Sequence, residues 1–108
     1  GKELQERKNL IFNELKKLKD IGISWRDPIR QFSEDEKYKK LSEQEFLCPI
    51  YKTPITMETS EADHIIPWSK GGRTDYSNLI VLSKKANQEK GDKSLNEYLL
   101  SKNIKLAA

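Results

Sequence analysis

The only histidine in this 108-residue chain, His64, directly follows an aspartate, Asp63. A neutral imidazole can act as a general base near neutral pH. A carboxylate is a hard oxygen ligand that suits Mg²⁺ or Mn²⁺, and the amide oxygen of Asn87, further along the chain, is another. Brought together, these groups fit hydrolysis of a phosphodiester. The base activates water, and the cation stabilises the charged transition state and the departing oxygen. Taken alone, a single histidine is more often a structural hydrogen-bonding group. On an extended strand, moreover, neighbouring side chains point to opposite faces. Asp63 and His64 can therefore share one site only at a bend or a strand end.

The elements that must position them follow from periodicity and caps. Leu4, Ile11, Leu15 and Leu18 fall on one face of a helix expected over residues 2–20, and Gly22 is a plausible stop. Pro28 keeps residues 25–32 from being one helix, which leaves a connector with Trp25, Ile29 and Phe32 turned inward. Ser33 with Glu36 is a capping box for a helix to about Leu41, and Ser42 with Glu45 repeats the signal for a second, short helix. From Phe46 the prolines at 49, 54 and 67 end helical periodicity. Residues 62–66 and 79–82 read as short strands, joined by a polar loop over 67–78 that carries Gly71-Gly72. The two glycines supply backbone freedom rather than a phosphate cradle. Ser83 is an N-cap for a helix over 84–90, Gly91 its stop, and residues 94–102 a further helix.

Asp63-His64-Ile65-Ile66-Pro67-Trp68-Ser69-Lys70-Gly71-Gly72, then Asn78-Leu79, then Asn87-Gln88-Glu89-Lys90-Gly91, resembles the HNH endonuclease motif. Asn78 lies 14 residues after His64, and Asn87 nine after that. The resemblance covers residues 48–92 and implies an α+β fold. Its core would be a ββα-metal (HNH) unit, two short antiparallel strands and a helix, with additional N-terminal and C-terminal helices. It implies that His64 is the general base and that Asp63 and Asn87 hold one Mg²⁺ or Mn²⁺. Asn78 takes the structural asparagine position, tying down the loop and the histidine. The reaction implied is one-metal cleavage of a nucleic-acid strand, leaving 5′-phosphate and 3′-hydroxyl ends. Arg73, Lys84, Lys85 and Lys90 are the candidate phosphate contacts. Many HNH domains also carry two Cys-x-x-Cys zinc knuckles. The matching positions here are Cys48, Tyr51, Ser83 and Ala86, so no structural zinc is expected. Packing by Tyr51, Ile55, Ile80 and Leu82 against flanking helices must do that work instead.

Length and composition bound the rest. The chain fits one domain, divided here into a helical N-terminal extension over 1–45 and a nuclease core over 46–104. Residues 105–108 read as a vector-derived tail and Gly1 as a cloning remnant, so a piece of a larger protein with other domains is expected. No apolar run is long enough to span a membrane, one cysteine forbids an internal disulfide, and no secretory signal opens the chain; a cytoplasmic protein is expected. The net charge is +3, and the excess lies late: residues 65–108 hold 8 Lys/Arg against 4 Asp/Glu, residues 1–47 hold 11 against 10. DNA is the favoured partner and RNA the second. Two other readings remain open at this point: a nucleic-acid-binding module of this fold that does not cut, and a protein-interaction domain built on the N-terminal helices.

Overall fold

Local signals place most elements, and long-range bonds set where they end. A computed structural model describes residues 25–106. The helix expected over 2–20 lies outside the described residues. The described elements are α1 (Glu34–Glu43), β1 (Ser60–His64), β2 (Leu79–Ser83), α2 (Lys84–Lys90) and α3 (Leu95–Lys102), with short 3₁₀ turns at Trp68–Lys70 and Tyr76–Asn78. No helix among the described residues is long and apolar enough to cross a membrane.

The capping box at Ser33 forms in full: the Glu36 amide donates to Ser33 Oγ at 3.1 Å, and the Ser33 amide to Glu36 Oε1 at 3.0 Å. Ser94 and Glu97 start α3 in the same way, and Ser83 caps α2 by accepting from the Ala86 amide at 3.2 Å. The helix expected to start at Ser42 does not form. Ser42 and Glu43 finish α1, and the chain then reverses through Glu45 and Phe46, both at positive φ (57° and 56°). Residues 25–32 form an irregular connector, with Trp25 buried and Ile29 and Phe32 half-buried.

The strands pair antiparallel, with Asp63 opposite Ile80 and His64 opposite Leu79. β2 is apolar at four consecutive positions, and all four are buried. Such a run is what a strand covered on both faces needs. The core they anchor includes Leu41 of α1, so residues before 46 share one apolar core with those after it. The Gln44 side chain adds a second tie. It accepts from the Val81 amide at 3.0 Å and donates to the Val81 carbonyl at 2.8 Å. Leu106, within the segment set aside as a tail, also packs against the core.

Three of the four knuckle positions still meet in space. Cys48 is fully buried and donates its thiol proton to Ser83 Oγ at 3.4 Å; Ala86 is buried beside them. One thiol with a hydroxyl and a methyl is no zinc ligand set. Tyr51 instead joins a polar cluster. Its hydroxyl, that of Tyr98 (2.7 Å) and the Lys102 ammonium (3.2 Å) all donate to Glu89 Oε1. The Tyr51 and Tyr98 hydroxyls lead in holding the Glu89 carboxyl down to about 2, and Lys102 adds to them. This cluster ties α2, α3 and the loop after Cys48 together.

The loop between the strands needs both of its glycines. Gly71 sits at φ 86°, in the left-handed region. Gly72 lies so close to the turn before it that a Cβ would stand 1.8 Å from the Ile66 carbonyl oxygen. Gly72→Ala should therefore destabilise the fold by about 2–3 kcal/mol, the cost of forcing backbone apart. Urea denaturation measures it; a loss within 0.5 kcal/mol (roughly the range of a surface substitution) would contradict the close approach.

Candidate active site

β1 ends at His64, so the two candidate residues sit where strand alternation gives way. Asp63 turns its carboxylate onto the backbone that follows it, and Oδ1 accepts from the His64 amide at 2.8 Å. A buried lysine completes the junction. Lys90, the last residue of α2, is wholly inaccessible to solvent; its ammonium donates to the His64 carbonyl at 2.9 Å and pairs with Asp63 Oδ2 at 2.9 Å. Lys90 was expected as a phosphate contact. The structure corrects this, because its charge is spent inside the fold and cannot reach a ligand.

Asn78 closes the loop. Its Oδ1 accepts from the Ile66 amide at 2.9 Å, while Nδ2 donates to the carbonyls of Ile66 (3.0 Å) and Arg73 (2.8 Å). These bonds end β1 at His64, two residues before the expected boundary, and leave the Ile66 side chain exposed.

The imidazole itself is buried, at 8% exposure. Nε2 lies 2.9 Å from Thr74 Oγ1, and the Phe32 ring packs 4.6 Å away, centroid to centroid. Thr74 is in turn held by the connector: its amide donates to Asp27 Oδ2 at 2.8 Å, and its hydroxyl to the Ile29 carbonyl. Trp68 docks on the same stretch, donating its indole N–H to the Asp27 carbonyl at 2.8 Å, with the Arg30 guanidinium 4.6 Å above its ring. Asp63, His64, Phe32, Arg30, Trp68 and Asp92 all line one cleft of about 430 Å³.

The structure joins Asp63, His64 and Lys90 by direct bonds, but it does not place every expected site residue there. Asn87 is half-buried in α2 and does not line the cleft. It is one turn before Lys90, on the same helix face. Arg73 is half-buried and pairs with Asp75 at 3.1 Å; Lys84 is exposed; Lys85 lies 4.7 Å over the Tyr51 ring. None of these three lines the cleft. Three contributors were not read from sequence: Lys90 as a buried cation, Thr74, and Asp27. Only the Asp27-Pro28 pair, a turn signal, hinted at the last.

The donors suit a hard divalent cation. Among the described residues no three His, Cys, Asp or Glu side chains cluster as a ligand set. Asp63 Oδ2, however, is buried and accepts no well-aligned hydrogen bond; its neighbour is the Lys90 charge. An amide oxygen from the Lys90 face of α2 would match the carboxylate in hardness.

Burial holds the His64 pKa below its ordinary 6.5; Asp63 pulls it up, and Lys90 pushes it down again. The folded chain therefore binds this proton more weakly than the unfolded chain. Its contribution to stability should be complete above pH 6.5 and should be lost as pH falls through the depressed value. Thermal unfolding across that range, beside His64→Gln, checks the sign: the parent should lose more stability on acidification than the variant.

Comparison with known proteins bears on the family and the fold. Residues 47–93 match the family model described as HNH endonuclease. The CRISPR-associated endonuclease Cas9 of Corynebacterium diphtheriae is 35% identical over 57 residues, covering 52% of this chain and 5% of that protein. The crystal structure of the Type II-C Cas9 enzyme from Actinomyces naeslundii aligns with a TM-score of 0.60 at 22% identity, over 99% of this chain and 11% of that one. The chain thus spans a small fraction of either relative. Residues 47–93 resemble HNH endonuclease domains, and the α+β fold is like that of the solved enzyme.

Proposed function

We propose that the chain is a nuclease domain that hydrolyses phosphodiester bonds of DNA, with His64 as general base. The observation that carries this is the paired placement of Asp63 and His64 at the end of β1, opening on one cleft. His64 is kept neutral by burial, so it can take a proton from water at neutral pH. Phe32 covers part of the ring and limits its rotation. Asp63 and Asn87 would hold one Mg²⁺ or Mn²⁺, whose charge would stabilise the reacting phosphate and the leaving oxygen. Lys90 fixes the Asp63 carboxylate from behind. Arg30, stacked on Trp68 at the edge of the cleft, offers an exposed cation to a phosphate beside the scissile one.

The chain's partners are then DNA and the other domains of a longer protein, a CRISPR-associated endonuclease of the relatives' kind. The test is nicking of supercoiled plasmid by the 108-residue chain in Mg²⁺ or Mn²⁺. Expected are nicked circles with 5′-phosphate ends, abolished by EDTA and restored by excess metal. Plasmid and single-stranded DNA left intact in both metals would overturn the reading. Cleavage unaffected by the chelator would remove the metal from it.

A further inference from the structure

Thr74 has one hydroxyl proton, and the structure fixes where it goes. A carbonyl oxygen can only accept, and Thr74 Oγ1 lies in close contact with the Ile29 carbonyl. Without a proton between them these two oxygens would repel, so the hydroxyl donates to Ile29. What Thr74 then presents to His64 Nε2, 2.9 Å away, is a lone pair. A nitrogen lone pair facing an oxygen lone pair makes no bond, so Nε2 must carry the imidazole proton.

The arrangement is hard to undo. One buried carboxylate, Asp27, accepts both the Thr74 amide (2.8 Å) and the Ile29 amide (2.9 Å). The hydroxyl and the carbonyl it serves are thus clamped by the same group, which is 1% exposed. Rotating the Thr74 hydroxyl toward Nε2 would leave the Ile29 carbonyl facing bare oxygen. The other ring nitrogen, Nδ1, makes no hydrogen bond among the described residues, and it is not among the buried polar atoms left without a partner.

We propose that Thr74 is a positioning residue, which holds His64 as the Nε2–H tautomer and leaves the Nδ1 lone pair to act as the base. This rests on the reading of His64 as the base, and it adds which residue orients that base. The connector over residues 25–32, which lies outside the matched family segment, thereby becomes part of the active site.

Because the chain has one histidine, nitrogen-15 spectra of uniformly labelled protein report a single imidazole. On the alkaline side of its titration the parent should show Nδ1 unprotonated and one slowly exchanging proton attached to Nε2. Thr74→Val keeps the shape and the backbone bond to Asp27 but has no hydroxyl. It should lose the slow Nε2 proton, and plasmid nicking should fall about tenfold, the scale of one oriented hydrogen bond. Thr74→Ser should restore both. A proton on Nδ1 in the parent overturns the inference whatever the chain cleaves. So does a Thr74→Val variant whose exchange and rate match the parent's. Equal nicking by His64→Ala would instead overturn the reading beneath it, whatever the tautomer.

Discussion

His64→Ala should lower the rate of metal-dependent plasmid nicking by about 10²–10⁴-fold, the usual contribution of a positioned general base. The chain has no second histidine to substitute for it. The fold should survive, because the imidazole borders the cleft and packs on the half-buried Phe32. Single-turnover nicking, scaled to the folded fraction from circular dichroism, measures the loss. A rate within about threefold of the parent's, far below that range, would remove His64 from the chemistry and leave a binding module. Asp63→Asn makes a useful companion. It keeps an oxygen on the His64 amide but removes the negative charge, so it should weaken the Mg²⁺ response more than DNA binding.

Lys90→Met should cost about 3 kcal/mol of stability, toward the lower end for breaking a buried ion pair because Asp63 keeps some access to water. Methionine fills similar volume but donates nothing. Asp63 Oδ2 loses its neighbouring charge and the His64 carbonyl loses its donor. The midpoint of thermal unfolding should fall by roughly 12–24 °C for a chain of this size. Adding Asp63→Asn to the variant should return part of the loss, since the carboxylate left behind is what makes the single change expensive. A lone Lys90→Met that unfolds within 1 kcal/mol of the parent (about the worth of a surface pair) would mean that the ammonium is not enclosed. Double-mutant analysis by urea denaturation decides between these outcomes.

Much of the fold was legible because its signals are local. The capping box at Ser33, the cap at Ser83, the stop at Gly91 and the start at Ser94 each depend on a few neighbouring residues, and each element begins where its cap stands. The same rule misread Ser42, which resembles Ser33 in sequence. There Leu41 is buried in the core and Gln44 reaches Val81, and these longer contacts keep the helix running to Glu43. The end of β1 was misplaced for a related reason. Ile65 and Ile66 look like strand residues, but the Asn78 side chain takes both backbone groups of Ile66.

The site divides along the same line. Asp63, His64, Asn78 and Asn87 could be singled out because their order and spacing fit a known motif. Lys90 belongs to that motif too, yet its charge suggested the surface. Nothing in sequence shows that a lysine at a helix end will be swallowed by a carboxylate 27 positions earlier. Thr74 and Asp27 are 47 positions apart and carry no pattern of their own; only the folded connector makes them neighbours.

The Gln44 amide has a wider consequence. Among the described residues no strand pairs with the other edge of β2, and this edge belongs to four successive buried apolar residues. Bare peptide groups along such a strand are a template for another molecule's strand and hence for aggregation. The primary amide of Gln44 mimics a peptide unit and occupies both Val81 groups, and Cys48 Sγ takes the Ser83 amide at 3.5 Å, so side chains stand guard where a third strand would otherwise dock.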